Sequence, residues 1–225
     1  FFSIVAHDLR SPFSGIHGLL EVLHKEGGDM SQQEKEELIL ALYQSSESYQ
    51  SLLQNLLSWS GLQMKHAAPE LERLNAINLI QNVCSIFDSS LVGKKLRLEI
   101  EHQHNPLWVQ ADKNMMHTVI RNLLSNAIKF SYTDAVIQIR SFTEEKTACI
   151  EIRDFGTGID DEKLQDLFTL GKTTSKKGTS NETGTGLGLI LCKDMLSAMG
   201  GSIHAKSTKG KGSTFTVRIP IDESF

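Results

Sequence analysis

The chain has 225 residues, 40% hydrophobic and 22% charged, a composition that supplies a buried core and excludes a disordered chain. Lysine and arginine number 23 against 27 acidic residues, a net charge of −4 that gives no general electrostatic reason to bind nucleic acid or an anionic membrane surface. No apolar run nears the roughly 18 residues of a membrane span, no leader pattern opens the chain, and Cys84, Cys149 and Cys192 read as ordinary buried thiols in a reducing compartment.

The first third reads as helical. Phe2, Val5, Leu9, Pro12, Ile16, Leu19 and Leu23 alternate three-residue and four-residue steps, the seam of a helix packed on another helix. Gly27-Gly28-Asp29 breaks that pattern just ahead of Ser31, an N-cap candidate with Glu34 at its third position. The same steps then return at Leu38, Leu42, Ser45, Tyr49, Leu52, Leu56 and Trp59, so a second helix is expected to about His66. An antiparallel hairpin follows, and seams this long are completed by a second copy in a four-helix bundle. An ordinary coiled-coil dimeriser would carry the same pattern.

After Ala67-Ala68-Pro69 the pattern becomes mixed. Helices are expected at 78–91, at 113–130 behind the cap Asp112, and at 187–199. Strand-like alternation marks 96–101, 135–142, 148–152, 202–205 and 214–219. The fold class is α+β, with the hairpin over residues 1–66 and an α+β domain over 67–225. Thr169 to Thr185, rich in Thr, Ser, Lys and Gly, reads as a lid or a disordered loop.

Four segments carry chemistry. His7-Asp8-Leu9-Arg10-Ser11-Pro12 places an imidazole off the seam and toward solvent, one turn before a proline that bends its helix. Neutral imidazole is a competent nucleophile toward phosphorus near neutral pH. On the helix at 113–130, Asn122, Asn126 and Lys129 fall within about 60° of one another, beside an apolar stripe of Met116, Val119, Leu123, Ala127 and Phe130. An amide oxygen plus phosphate oxygens suits Mg²⁺, and a lysine can neutralise phosphate; taken alone, the face also suits plain solvated surface. Asp154-Phe155-Gly156-Thr157-Gly158-Ile159 puts a carboxylate at a strand end, able to accept from an exocyclic amine such as that of adenine, before two glycines that allow close backbone approach. By itself this is a turn as often as a site. Gly184-Thr185-Gly186-Leu187-Gly188-Leu189 alternates glycines just ahead of an apolar helix, an anion cradle of backbone N–H groups or a flexible loop feeding a helix. Gly171-Lys172-Thr173 has only the tail of a P-loop, since Asp166 stands where its first glycine belongs, and the alternate-glycine run fails the dinucleotide spacing.

Taken in order, these segments resemble the sensor histidine kinases of two-component signalling over essentially the whole chain. His7 to Pro12 is similar to the phosphoacceptor box, Asn122 to Lys129 to the N box, Asp154 to Ile159 and Gly184 to Leu189 to the two glycine boxes, and Phe168 to the F box. The resemblance implies a dimerising phosphotransfer hairpin followed by an α/β sandwich of the gyrase and Hsp90 type, a mixed sheet with helices on one face. It also implies ATP bound between the N-box helix and the lid. His7 would be the phosphoacceptor, Asp8 the acid that helps deprotonate it, Asn126 the Mg²⁺ ligand, and Asn122 and Lys129 supports for the triphosphate. Asp154 would read the adenine amino group beside Gly156 and Gly158, with Phe168, Gly184, Thr185, Gly186, Leu187 and Gly188 completing the nucleotide site.

The implied partners are a second copy of the chain and a response-regulator receiver domain, with no nucleic acid and no membrane contact by this segment. The implied setting is a cytoplasmic segment of a longer sensor, with or without a membrane anchor. Two departures from the family pattern carry expectations. Phe168 is followed by Thr169-Leu170-Gly171-Lys172 rather than an aromatic run and arginine, which leaves the γ-phosphate partner among Lys172, Lys176 and Lys177. Ser11 stands where Thr or Asn is typical of enzymes that dephosphorylate their partner, so phosphorylation should outweigh dephosphorylation. A hydrolase of the gyrase and Hsp90 kind carries Glu one turn before the Mg²⁺-binding Asn, whereas that position is Asn122, and an amide is a poor base. A non-catalytic nucleotide-binding scaffold would show a damaged phosphoacceptor or N box, and neither is damaged.

Overall fold

The computed structural model describes residues 2–63, 68–169, 178–179 and 186–222. Helix α1 (Phe2–Glu26) and helix α2 (Gln32–Gln63) pack together around the turn after Gly27. Ser31 and Glu34 form a reciprocal cap: the Ser31 N–H donates to Glu34 Oε2 at 2.8 Å and the Glu34 N–H to Ser31 Oγ at 3.3 Å. The rings of Phe13 and Tyr49 meet at 6.1 Å, so the two helices run antiparallel. The described seam residues Ile16, Leu19, Leu23, Leu38, Leu42 and Tyr49 are all half-buried, while Phe13, Leu20, Ile39, Leu40 and Tyr43 remain exposed. One hairpin thus covers one apolar strip and leaves another bare. Backbone helix continues through Pro12, whose missing N–H leaves the Asp8 carbonyl without its helical donor.

The second unit is built on a five-stranded sheet in the order β2-β4-β5-β7-β6. Its strands are β2 (Arg97–His102), β4 (Val136–Glu144), β5 (Thr147–Asp154), β6 (Ser202–Thr208) and β7 (Gly212–Pro220). Only the β2–β4 pair is parallel; the other pairs are antiparallel. The register aligns Ile137 with Asp154, Ile139 with Ile152, Ile152 with Phe215 and Ile150 with Val217, so their side chains share the face covered by helices. Those helices are α3 (Ala76–Ile86), α5 (Lys113–Phe130) and α7 (Gly188–Ala198), with α4 (Asp88–Gly93) and α6 (Asp161–Gln165) as short connectors. A separate pair, β1 (Glu72–Asn75) and β3 (Trp108–Ala111), closes the end of the domain.

Two details depart from expectation. The helix expected over 78–91 breaks at Phe87 (φ −99°, ψ 5°) into α3 and α4. Asp88, Ser89 and Ser90 favour a new helix start over a helix interior, and the break turns Leu91 into the core while Val92 stays outside. Strands β1 and β3 carry no alternation long enough to read, and Asn75 fixes them by capping α3 through Ile77 N and accepting from Leu107 N. The thiols of Cys84, Cys149 and Cys192 are all buried, and burial pushes them up to about 11, 11 and 12, so none is a ready thiolate.

Candidate functional site

Helix α5 is the floor of the site. Asp112 caps it as expected, its Oδ1 accepting from Asn114 N at 2.9 Å and Met115 N at 3.0 Å. Met116, Val119, Ile120, Leu123, Leu124 and Ala127 bury one face against the core, which turns Asn122, Asn126 and Lys129 to the half-buried flank. The Nδ2 atom of Asn122 is buried and has no hydrogen-bond partner among the described residues. A donor buried unpaired costs roughly 1–3 kcal/mol, which a ligand oxygen would return.

The start of α7 faces that amide. A Cβ on Gly188 would stand 3.4 Å from Asn122 Oδ1, so the start of α7 lies within ordinary van der Waals reach of that side chain. Gly186 has φ +69° and Leu187 sits at the cap position of α7, where its apolar side chain makes no cap bond. The N–H groups of a helix start and an amide donor on the facing helix together suit an anion.

The carboxyl of Asp154 closes the opposite end, 3% exposed at the finish of β5. Oδ1 accepts from Gly156 N at 3.0 Å and Ser213 N at 3.3 Å, which leaves Oδ2 for a ligand donor. Burial pushes its pKa up from 3.8 to about 6, outweighing the backbone bonds that lower it. Gly156 is obligatory in this arrangement, because a Cβ there would lie 1.8 Å from Phe130 O, and the Thr157 N–H donates to that same carbonyl at 3.1 Å. Gly158, at φ +63°, would place a Cβ 2.1 Å from Thr208 O. The glycine turn is therefore wedged between the end of α5 and the β6–β7 hairpin.

Because the folded-state pKa of Asp154 is raised, its contribution to stability is fully present below about pH 4 and is lost as pH rises through about 6. Asp154→Asn keeps an oxygen for both backbone donors and removes the ionisation. It should stabilise the protein alone by roughly 1–3 kcal/mol at pH 7.5, seen as a higher Tm, with little gain at pH 4. Equal shifts at both pH values would show that ionisation of this carboxyl is not what destabilises the fold.

The end of α5 is tied to two further distant segments. Lys94, only 9% exposed, donates Nζ to Ile128 O at 2.8 Å and Lys129 O at 2.9 Å. Thr179 donates its N–H to Lys129 O at 3.1 Å and its hydroxyl to Ser131 O at 2.6 Å. Lys129 Nζ itself rests over the Phe130 ring at 4.9 Å. Phe168 is half-buried and packs on the core beyond α6. None of Lys94, Thr179 and Ser213 stood out in the sequence, since each acts only across the fold.

Asn122, Asn126 and Lys129 thus share the flank of α5, the start of α7 at Gly186, Leu187 and Gly188 meets that helix at Asn122, and the turn of Asp154, Gly156 and Gly158 meets its end at Phe130. Lys172, Lys176, Lys177, Gly184 and Thr185 lie outside the described residues, and so do the side chains of His7, Asp8 and Ser11, whose backbone belongs to α1. Among the described residues no three His, Cys, Asp or Glu side chains gather as a metal cage, and no helix is long and apolar enough to cross a membrane. A hard cation here would rely on the Asn126 oxygen, phosphate oxygens and water, a donor set that suits Mg²⁺.

Residues 111–223 match the family of histidine kinase-, DNA gyrase B- and HSP90-like ATPases, and residues 1–63 match the His kinase A phospho-acceptor domain. The chain is 32% identical over 218 residues to the sensor protein KdpD of Clostridium acetobutylicum, a match covering 96% of the chain and 24% of that protein. It therefore spans about a quarter of the length of that relative. The histidine kinase AdeS of Acinetobacter baumannii shares the fold with a TM-score of 0.74 at 24% identity, covering 96% of this chain and 98% of that one. Histidine kinase ThkA, solved in complex with the response regulator TrrA, shares it with a TM-score of 0.75 at 22% identity, covering 98% of this chain and 61% of that one.

Proposed function

The chain belongs to the sensor histidine kinase family, and from that membership we propose that it moves the γ-phosphoryl group of ATP to His7 within a homodimer, then to an aspartate of a receiver domain. The proposed boundary between phosphotransfer hairpin and ATP-binding domain lies between residues 66 and 67. The observation that carries the reading is the approach of the glycine-led start of α7 to Asn122, whose buried Nδ2 has no hydrogen-bond partner among the described residues, an arrangement that suits phosphate oxygens.

Adenine fits at the other end, where Asp154 Oδ2 accepts from the exocyclic amine while Oδ1 stays bonded to the backbone. Asn126 would hold Mg²⁺, which when bound neutralises charge on the phosphate oxygens. Asn122 donates to a phosphate oxygen, and Lys129 adds positive charge beside it. A ring-nitrogen lone pair of His7 attacks the γ-phosphorus, the bond to the bridging oxygen breaks, and its electron pair leaves with ADP. Asp8 takes the proton from the other ring nitrogen, so the phosphorylated ring is left neutral. A carboxylate oxygen of the receiver then attacks the same phosphorus as the phosphorus–nitrogen bond breaks, and return of the proton to the other ring nitrogen lets the imidazole leave neutral.

Homodimerisation is supported by the exposed strip of Phe13, Leu20, Ile39, Leu40 and Tyr43, and the receiver by the ThkA complex, in which a kinase of this fold meets a response regulator. Incubating the purified chain with γ-labelled ATP and Mg²⁺ tests the function. The expected product is acid-labile and alkali-stable, as phosphohistidine is. Acid-stable label, or release of inorganic phosphate alone, would overturn the proposal.

A further inference from the structure

The hairpin joining β6 to β7 contributes no ligand to the proposed reaction, yet its tip is bonded to the glycine turn at four points. Gly210 N–H donates to Thr157 O at 2.7 Å, and Ser213 N–H donates to Asp154 Oδ1 at 3.3 Å. Lys209 Nζ meets Asp160 Oδ1 at 2.7 Å, an exposed pair of small worth. The fourth bond runs from Ile159 N–H to Ser207 Oγ at 2.8 Å.

Ser207 is where these links join. Its Oγ lies 2.9 Å from Gly212 O and 2.9 Å from Ser213 Oγ. A hydroxyl has one proton and two lone pairs. The Gly212 carbonyl only accepts, so the Ser207 proton goes there. The Ile159 N–H takes one lone pair and the Ser213 hydroxyl proton takes the other. Every bonding position of Ser207 is then filled, and the register that sets Ser207 opposite Ser213 is what permits it. Through Ser213 the same cluster reaches the oxygen of Asp154 that does not face the ligand.

We propose that Ser207 is a positioning residue for adenine recognition: its hydroxyl locks the turn at 157–159 to the β6–β7 hairpin and thereby holds Asp154 Oδ2 in line with the base. The inference rests on Asp154 being the adenine reader. Removing the hydroxyl leaves the Ile159 N–H without its acceptor and the Gly212 carbonyl without its side-chain donor, and frees the Ser213 hydroxyl to turn toward the Asp154 carboxylate. Binding of the base should weaken while phosphoryl transfer, made at the far end of the nucleotide, proceeds as before.

The test is the initial rate of autophosphorylation of the full chain at varied ATP and at varied GTP, which offers an oxygen acceptor where adenine offers an amine. Ser207→Ala should raise KM for ATP about tenfold with kcat nearly unchanged, and narrow the preference for ATP over GTP by a similar factor. Ser207→Thr keeps the hydroxyl and should restore both. A lowered Tm with native KM and native preference would mean that Ser207 only stabilises the fold, and the proposal would fall. If Ser207→Ala does not stay folded, Ser207→Cys, close in volume but a weak hydrogen-bonding group, takes the same measurements with the same deciding outcomes. Asp154→Ala is run beside them. Native KM and preference in Asp154→Ala would sink the adenine-site reading itself. Loss there, with native behaviour in Ser207→Ala, would remove Ser207 alone.

Discussion

His7→Gln should lower incorporation of label from ATP by at least about a thousandfold while nucleotide affinity stays at its native value. Glutamine is a good helix former, so α1 (Phe2–Glu26) is kept, but its amide offers no nucleophilic lone pair to phosphorus. Position 7 is on the hairpin helix α1, whereas the proposed nucleotide residues are on α5 and α7, so binding and transfer are expected to separate cleanly. His17 and His24 are natural controls: both are exposed on the same helix, yet neither is followed by an acid or stands one turn before a proline. Labelling of His7→Gln near the native level would transfer the acceptor role elsewhere on the chain. Mass analysis of the product at alkaline pH would then show which residue holds it.

The elements most legible in the sequence are those whose signals are local. Ser31 with Glu34, and Asp112 ahead of an unbroken apolar stripe, mark helix starts that the structure reproduces with the capping bonds in place. Asp154 and its two glycines are equally local, since carboxylate and turn share one short segment. The interruption at Phe87 was hidden because nothing in a single helical period distinguishes one helix from two that meet at a Ser-rich step. Lys94 looked like any surface lysine. Its role appears only when α4 reaches the end of α5, more than thirty residues on, and its ammonium finds two carbonyls. Ser207 and Ser213 likewise gain their meaning from the β6–β7 register, and no spacing within either strand encodes which oxygen will meet Ile159. Side chains that touch the ligand can be read from motif chemistry, whereas side chains that hold them in place depend on pairings made across the fold.

Asn126→Ala should abolish labelling, by a hundredfold or more, and leave the dimer intact. Asn126 lies one turn beyond Asn122 on the half-buried flank of α5, away from the stripe of Val119, Leu123 and Ala127 that fills the core. Alanine has the highest helix propensity, and the substitution removes no buried apolar atom, so the fold should lose little. What is lost is an amide oxygen suited to a hard cation beside the phosphates. Tight ATP binding should then cease to depend on Mg²⁺, while the binding that survives in EDTA, through Asp154 and the start of α7, should match the native chain in EDTA. Size measurement checks the dimer, because α5 contributes nothing to the hairpin seams. If Mg²⁺ strengthens ATP binding in Asn126→Ala as much as in the native chain, Asn126 is not the ligand, and the amide pair on α5 has to be assigned to the triphosphate alone.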